Sequence, residues 1–356
     1  MRLRSIALAA GLALCAGAGD AQDETPSLTH DFGDWNVACD NVRGCTAVGF
    51  AADAEGGAGP HLFLARGGGV YDQPRVEIGI GFGSASEAVM DGDAIEVAVD
   101  GARPLRFTAV ARRGRESYDW PELVFPAERT AAFVEAVIQG ERITLTHKGK
   151  PLGAISLKGS SAALRWIDAE QKRDGGRSAL VAVGPRPAKA DPAPPDPPTV
   201  RRAPPISQSG SPRTMPPALA GREDVRLCAE EYDEESRRPP TAWRLSKTEY
   251  LWHIPCGSGA YNFNALFLIA RRDGTGARSA GVGGPSDPDY LTNGSYDPKT
   301  RLLSAFSKGR GLGDCGDDSA WAWDGRSFRR THQAVMESCM GVTIEHWHVI
   351  WRARVL

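Results

Sequence analysis

A proline-rich segment divides this chain into two parts. Between Pro185 and Pro217 lie twelve of the 25 prolines, in runs such as APPDPP and RRAPP, with hardly a large apolar residue among them. Such a segment cannot bury enough apolar surface to fold, and proline keeps it extended and semi-rigid. We therefore predict a linker over 184–220 between two domains, 28–183 and 221–356, each long enough for its own core.

The first residues have the layout of a secretory signal peptide. Two arginines precede an uncharged apolar run that ends in small residues, and this run is shorter than the roughly 20 residues of a membrane-spanning helix. Cleavage after Ala18 or after Ala21 fits the pattern. Leu14 stands before Cys15, where a lipoprotein site has a small residue, and this argues against lipidation. A signal peptide over 1–21 predicts a periplasmic or secreted protein.

Charge and hydropathy exclude two classes of partner. Beyond the leader no window reaches membrane-spanning length, so no transmembrane segment is expected. The formal net charge is −2, and the lysines and arginines form no broad basic field, which excludes nucleic acid as a partner. An envelope protein or a glycan remains as the partner.

The cysteines predict disulfides. The six that follow the leader are Cys39, Cys45, Cys228, Cys256, Cys315 and Cys339. An even number in an exported chain is typical of disulfide pairing. If the domains fold independently, the first two pair with each other. The pairing of the other four stays open, with the sequential arrangement preferred, and the absence of any C-x-x-C pair disfavours zinc.

Alternating apolar residues predict a mainly β fold in the first domain. The alternation runs through Val76–Phe82 and Ile95–Val99, and Asp100-Gly101 then supplies a hairpin turn signal. One helix is predicted over 126–140, and a second begins at residue 160 or 161. The first domain is therefore expected to resemble a β-sandwich with one or two helices.

The second domain is also predicted to be β-rich. In Trp321–Phe328 the Asp324-Gly325 pair is typical of a two-residue type I′ hairpin turn. A final strand is predicted over His346–Val355, with Trp347 on its inner face. Other candidate strands are Tyr250–Ile254, Tyr261–Ala270 and Arg301–Ser307.

Three motifs carry a resemblance to a known family. FGDWNVACDNVRGC (32–45), CGSGAYN (256–262) and KGRGLGDCG (308–316), in this order around a proline-rich middle, resemble the bacterial family called domain of unknown function number 1176. The likeness covers nearly all of the mature chain. The first half is also similar to the invasion-associated locus B family of exported β-sandwich proteins. Neither resemblance implies a catalytic residue, so both imply only export and an unknown role.

The glycine-rich stretch from Lys308 does not predict a cofactor or metal site. Gly311–Gly316 matches G-x-G-x-x-G, but DDSAWAWDG follows it and is typical of a loop and then a strand, whereas a dinucleotide site needs a helix there. The aspartates of this stretch lack EF-hand spacing and suit turns. We interpret it as a stapled loop that presents Lys308, Arg310 and Asp314 to a partner.

His346, His348 and Ser258 are the candidates for metal binding or nucleophilic catalysis. His346 and His348 share one face of a strand and have the spacing of a metal chelate, but Arg352 and Arg354 would lie on the same face, so a solvent-facing pair is preferred. Ser258 lacks the outer glycines of a nucleophile elbow. No catalytic, cofactor-binding or metal-binding residue is assigned.

Tryptophans are concentrated in the second domain. Trp321 and Trp323 point to one face of a strand, as a platform for a sugar ring would require, although core packing is the preferred interpretation. We predict a non-catalytic binding or envelope-associated module, the alternative being a cell-envelope hydrolase with a site assembled in space. A shallow groove lined by Trp321 or Trp323 would favour binding, and a deep pocket combining histidine, carboxylate and Ser258 would favour hydrolysis.

Overall fold

The structure is a computed structural model that describes residues 28–52, 59–81, 88–103, 105–113, 119–230, 238–283 and 290–356. The predicted signal peptide and Phe82 lie outside these ranges. The described fold is mainly β and built from several antiparallel sheets, as the alternating patterns predicted.

The first domain contains a ten-stranded antiparallel sheet. Its order is β1-β2-β3-β4-β5-β8-β7-β6-β9-β10. It also contains two helices, α1 (Ala127–Gln139), between β8 and β9, and α2 (Ser160–Glu170), after β10. The strands are β1 (His30–Phe32), β2 (Trp35–Cys39), β3 (Cys45–Gly49), β4 (His61–Arg66), β5 (Arg75–Gly79), β6 (Ala94–Val99), β7 (Leu105–Arg113), β8 (Asp119–Val124), β9 (Arg142–His147) and β10 (Lys150–Ser156).

The core of this domain lies between one face of the sheet and the two helices. Alternate residues of each strand point to one face, so Leu62, Val76 and Leu123 are buried together. Phe133 of α1 and Leu164 of α2 join the same cluster. The other face of β4, β5 and β8 is therefore left for something else to cover.

The second domain contains two further sheets. One has the order β12-β13-β14-β15, with β16 also pairing with β14, and the other has the order β17-β18-β19-β20-β21. The short helix α4 (Glu223–Glu230) precedes them. The strands are β12 (Thr241–Arg244), β13 (Glu249–Ser258), β14 (Phe263–Arg271), β15 (Arg278–Ser279), β16 (Tyr290–Thr292), β17 (Ser295–Asp297), β18 (Leu302–Lys308), β19 (Gly316–Trp323), β20 (Phe328–Met336) and β21 (His348–Arg352).

The proline-rich segment packs against the second domain. Within it, β11 (Thr199–Val200) pairs in parallel with β22 (Arg354–Val355). A one-turn helix, α3 (Pro217–Ala220), buries Leu219 completely. The domain boundaries drawn from the sequence stay a prediction, but this segment does have partners on the folded chain.

Two local predictions in the second domain were wrong. The hairpin that pairs Trp323 with Phe328 has a four-residue loop rather than a two-residue turn, because the Asp324 carboxylate accepts hydrogen bonds from the backbone N–H groups of Arg326 and Ser327 and widens the turn. The predicted strand 346–355 is also divided. Residues Ile344–His346 form a 3₁₀ turn, and β21 begins only at His348.

The second domain covers the outer face of the first domain's sheet. Val48 and Phe63 from β3 and β4 are buried against Met336, Val342 and Trp347 in one hydrophobic cluster. This interface positions the candidate site described below.

Candidate functional site

The six cysteines lie in three pairs at disulfide-bonding distance. The S–S distances are 1.93 Å for Cys39–Cys45, 1.87 Å for Cys228–Cys256 and 1.92 Å for Cys315–Cys339. This is the sequential arrangement preferred from the sequence. Disulfides of this kind persist in oxidising compartments outside the cytoplasm. Within the described ranges, the helices are too short or too polar to cross a membrane.

The glycine-rich stretch is a loop held at both ends. Asp314 is fully buried and accepts hydrogen bonds from Nε of Arg310 at 2.7 Å and from the backbone N–H of Gly341 at 2.7 Å. The chain then enters β19 at Gly316 rather than a helix, so the loop does not have the setting of a dinucleotide site. Lys308 and Arg310 are half-buried. Their predicted contact role stays a prediction.

The aspartates of this stretch do not converge. Asp317 accepts hydrogen bonds from Ser319 and Gln333, at 2.6 and 2.8 Å. The Asp318 carboxylate lies 3.3 Å from Nε2 of His332. Since each carboxylate has a different partner, the loop does not gather oxygen ligands for one cation.

Trp321 and Trp323 belong to the core of the second domain. Their exposed fractions are 4% and 0%, and they pack with Phe328 and Tyr296. Core packing was the interpretation preferred from the sequence. Trp323 therefore offers no surface to a sugar ring, whereas an edge of Trp321 reaches the groove described next.

A groove of about 640 Å³ lies on the second domain. We call it the tryptophan–arginine groove. Its aromatic surface comes from Trp321 and from the half-buried Trp351, whose indole Nε1 donates to the carbonyl of Arg330 at 3.4 Å. Its other lining residues include Arg201, Arg329, Arg330, Asp324 and Phe328.

The groove concentrates positive charge in a nearly neutral chain. Arg201, Arg329 and Arg330 are exposed, and Asp324 is the acidic residue among the groove's described lining. The Arg330 guanidinium lies 6.0 Å from the ring centroid of Trp321, at the outer limit of a cation–π contact. The chain as a whole carries a formal charge of −2, so this is a local basic site.

A second site is built at the domain interface by strand register. In β4, β5 and β8, His61 and Glu122 both lie opposite Gly79 and therefore share its face of the sheet. Glu77, two residues before Gly79, is on that face as well. A Cβ at Gly79 would lie 2.2 Å from the His61 ring, so only glycine lets the imidazole pack across this strand.

The second domain adds His346 to the three residues His61, Glu77 and Glu122. Nε2 of His346 lies 2.9 Å from Oε2 of Glu77 and 3.7 Å from Oε1 of Glu122. Its Nδ1 lies 2.8 Å from Nε2 of His61, and its ring stacks on Phe63 with centroids 4.4 Å apart. We call His61, Glu77, Glu122 and His346 the His–Glu cluster. All four side chains are at most 2% exposed.

The His–Glu cluster brings two carboxylates close together. A ligand atom from each of Glu77, Glu122 and His346 lies within 4.8 Å of the others. Two carboxylates at that separation repel by about 3.5 kcal/mol at an effective dielectric constant of about 20. The Arg75 guanidinium lies 2.5 Å from Oε1 of Glu77 and neutralises one of them. Burial, and then the charge of His346, hold the pKa of His61 well below its usual range, so His61 is neutral.

This cluster is buried, with each member at most 2% exposed. It corrects the interpretation of His346 and His348 as a solvent-facing pair. They are 1% and 0% exposed, and Thr46 Oγ1 lies 2.6 Å from Nδ1 of His348 across the same interface. Sequence reasoning missed Glu77 and Glu122 altogether. The available signal was a carboxylate placed inside each of two apolar strands.

The surroundings of Ser258 do not support the hydrolase alternative. Its side chain is exposed at the end of β13, and among the described residues it makes no hydrogen bond to a histidine. Sequence and structure thus leave two candidate sites, the tryptophan–arginine groove on the surface and the buried His–Glu cluster.

Comparison with known proteins establishes the family. A family model described as "Protein of unknown function (DUF1176)" matches residues 29–354. The chain belongs to this family. The uncharacterised protein YpfG of Escherichia coli (strain K12) is 28% identical over 333 residues, which cover 89% of each chain. Invasion associated protein B from Bartonella henselae matches with a TM-score of 0.31 and 18% identity, over 41% of this chain and 99% of that one. Both resemblances noted in the sequence are therefore found, although a TM-score of this size carries no further argument.

Proposed function

We propose that this protein is an exported, periplasmic binding module without catalytic activity, and that the tryptophan–arginine groove takes an anionic glycan of the cell envelope. The observation that carries this proposal is the placement of Trp351 and an edge of Trp321 beside three exposed arginines. Export is supported by the signal-peptide pattern and by the three cysteine pairs.

The chemistry of the groove favours a charged sugar over a neutral one. An indole face packs on the C–H face of a sugar ring, which supplies apolar contact with a polar rim. Guanidinium groups bind carboxylates or phosphates through paired hydrogen bonds. Arg201 and Arg329 make no side-chain hydrogen bond or ion pair within the described ranges, so both are available to a ligand.

The proposal is tested with purified full-length mature protein. Co-sedimentation with peptidoglycan sacculi, followed by titration with a soluble carboxylate-bearing muropeptide, measures binding directly. Arg329→Ala is expected to weaken binding about tenfold, because a charged hydrogen bond contributes about 1.5–3 kcal/mol. Trp351→Ala is expected to weaken binding several-fold.

The matched control is Arg165→Ala, which removes an exposed arginine from α2 in the first domain. Binding by this variant should equal that of the unmodified protein. Two results would overturn the proposal. One is equal binding of charged and neutral saccharides. The other is a protein that does not bind sacculi but captures a periplasmic protein, when Arg329→Ala and Trp351→Ala leave that capture unchanged.

A further inference from the structure

The His–Glu cluster joins two domains through buried polar groups that are unusual in composition. Glu77 and Glu122 come from neighbouring strands of the first domain, and His346 comes from a 3₁₀ turn of the second. One imidazole nitrogen and two carboxylate oxygens are a donor set that zinc accepts.

The distances fit one ion at the centre of this set. Zinc binds nitrogen and oxygen at about 2.0–2.2 Å, which places tetrahedral ligands about 3.3 Å from one another. Nε2 of His346 lies 2.9 Å from Glu77 and 3.7 Å from Glu122, and all three ligand atoms fall within 4.8 Å of one another. Small side-chain shifts are enough to bring them to bonding geometry.

His61 supplies the independent observation that points to a ligand. It is fully buried, and within the described part of the chain its Nδ1 has no hydrogen-bond partner. Its contact with His346 is made by the other ring nitrogen. Its Nε2 faces Nδ1 of His346 at 2.8 Å. When Nδ1–H of a histidine donates to a neighbour, the lone pair of Nε2 is directed at a metal, and such outer partners orient metal-bound imidazoles.

We propose that Glu77, Glu122 and His346 bind a divalent transition-metal ion, with zinc as the ion that best suits the donors, and that this ion holds the two domains together. His61 is a positioning residue that orients His346. Arg75 pairs with Oε1 of Glu77, and Oε2 is the oxygen that faces His346. Because all three ligands are at most 2% exposed, we assign the ion a structural role. The inference does not depend on the tryptophan–arginine groove.

The test measures metal content and thermal stability of the full mature chain. The protein is stripped with EDTA, dialysed against zinc chloride and then against metal-free buffer. We expect about one equivalent of zinc to remain, and we expect zinc to raise the melting temperature by about 5 °C, because a ligand specific to the native state stabilises it. Zinc-edge X-ray absorption should show one imidazole with oxygen donors and no sulfur.

Variants locate the ion. Glu122→Gln and His346→Gln should lose the bound equivalent, and His61→Phe should weaken zinc binding about 10–100-fold. His348→Gln is the matched control, because it removes a buried imidazole from the same interface outside the ligand set and should keep the equivalent.

The unmodified protein decides the question even if the variants fold poorly. Retention of less than about a tenth of an equivalent of zinc, manganese or iron, together with an unchanged melting temperature, overturns the site. Full retention of zinc by both Glu122→Gln and His346→Gln would also overturn the site.

Discussion

Nε2 of His346 lies 2.9 Å from Oε2 of Glu77, although 269 residues separate the two in the chain. Both side chains are 1% exposed. A histidine from one domain thus meets a carboxylate from the other inside the buried interface. The contact joins the two domains, and each partner has a second neighbour, Arg75 for Glu77 and His61 for His346.

Gly79→Ala tests whether close packing across β5 builds the His–Glu cluster. The added Cβ would lie 2.2 Å from the His61 ring, so the imidazole must move away from His346. We expect a loss of about 1–3 kcal/mol in the free energy of unfolding, measured by urea denaturation. Gly259→Ala is the control, because its Cβ would meet nothing closer than 3.9 Å. Equal stability of the two variants would contradict the prediction.

Asp168→Ala tests a buried ion pair in the first domain. Asp168 accepts hydrogen bonds from Nη2 of Arg66 and from the backbone N–H groups of Leu180 and Val181, all at 2.8 Å. Its removal takes away the ion-pair partner of the buried Arg66, whose Nη1 keeps its hydrogen bond to the Ser178 carbonyl, and we expect a loss of about 3–5 kcal/mol. Glu170→Ala changes an exposed carboxylate on the same helix and should change stability little. A loss below about 1 kcal/mol for Asp168→Ala would show that Arg66 finds other compensation.

His253→Phe tests the acid sensitivity of the second domain. Burial, and then the charge of Arg238, lower the pKa of His253 to about 4. The unfolded chain therefore binds a proton at this residue below about pH 6.5, whereas the folded chain does not until about pH 4, so stability falls as the pH falls through this window. The contribution is on the order of 2–3 kcal/mol.

Phenylalanine keeps the ring contacts of His253 with Trp243 and Phe267 but does not titrate. Denaturation between pH 7 and pH 4 should therefore show a shallower loss of stability for the variant. Parallel profiles for the two proteins would mean that folding does not lower the pKa of His253.

Asp314→Ala tests whether the buried Asp314 carboxylate holds the glycine-rich loop in addition to the Cys315–Cys339 disulfide. The Cys315–Cys339 pair remains, but Arg310 and the backbone of Gly341 lose a fully buried acceptor. We expect faster amide hydrogen exchange in 308–316 and 337–343, with a stability loss of about 1–3 kcal/mol. Asp317→Ala, a half-buried neighbour, should leave exchange in 337–343 unchanged. Unchanged exchange in Asp314→Ala would show that the disulfide alone holds the loop.

Much of the fold followed from local patterns. Three features could be predicted because each depends on residues that are neighbours in the sequence. They are the apolar alternation in β5 and β6, the helix that ends before Gly140, and the family motifs. The Trp323–Phe328 hairpin was misread because Asp324 bonds two backbone N–H groups and opens the turn, a choice that Asp-Gly alone does not dictate.

The candidate sites depended on contacts that no local pattern contains. Alternation places Glu77 on the face opposite the core, and on a single domain that face would be solvated. His346 was predicted to face solvent because Arg352 and Arg354 would share its strand face. By itself the sequence determined the mainly β class, the six cysteines that follow the predicted leader, and the family. Only the tertiary structure decided that the second domain covers this face, because docking of distant segments sets which polar groups lose water and must find each other.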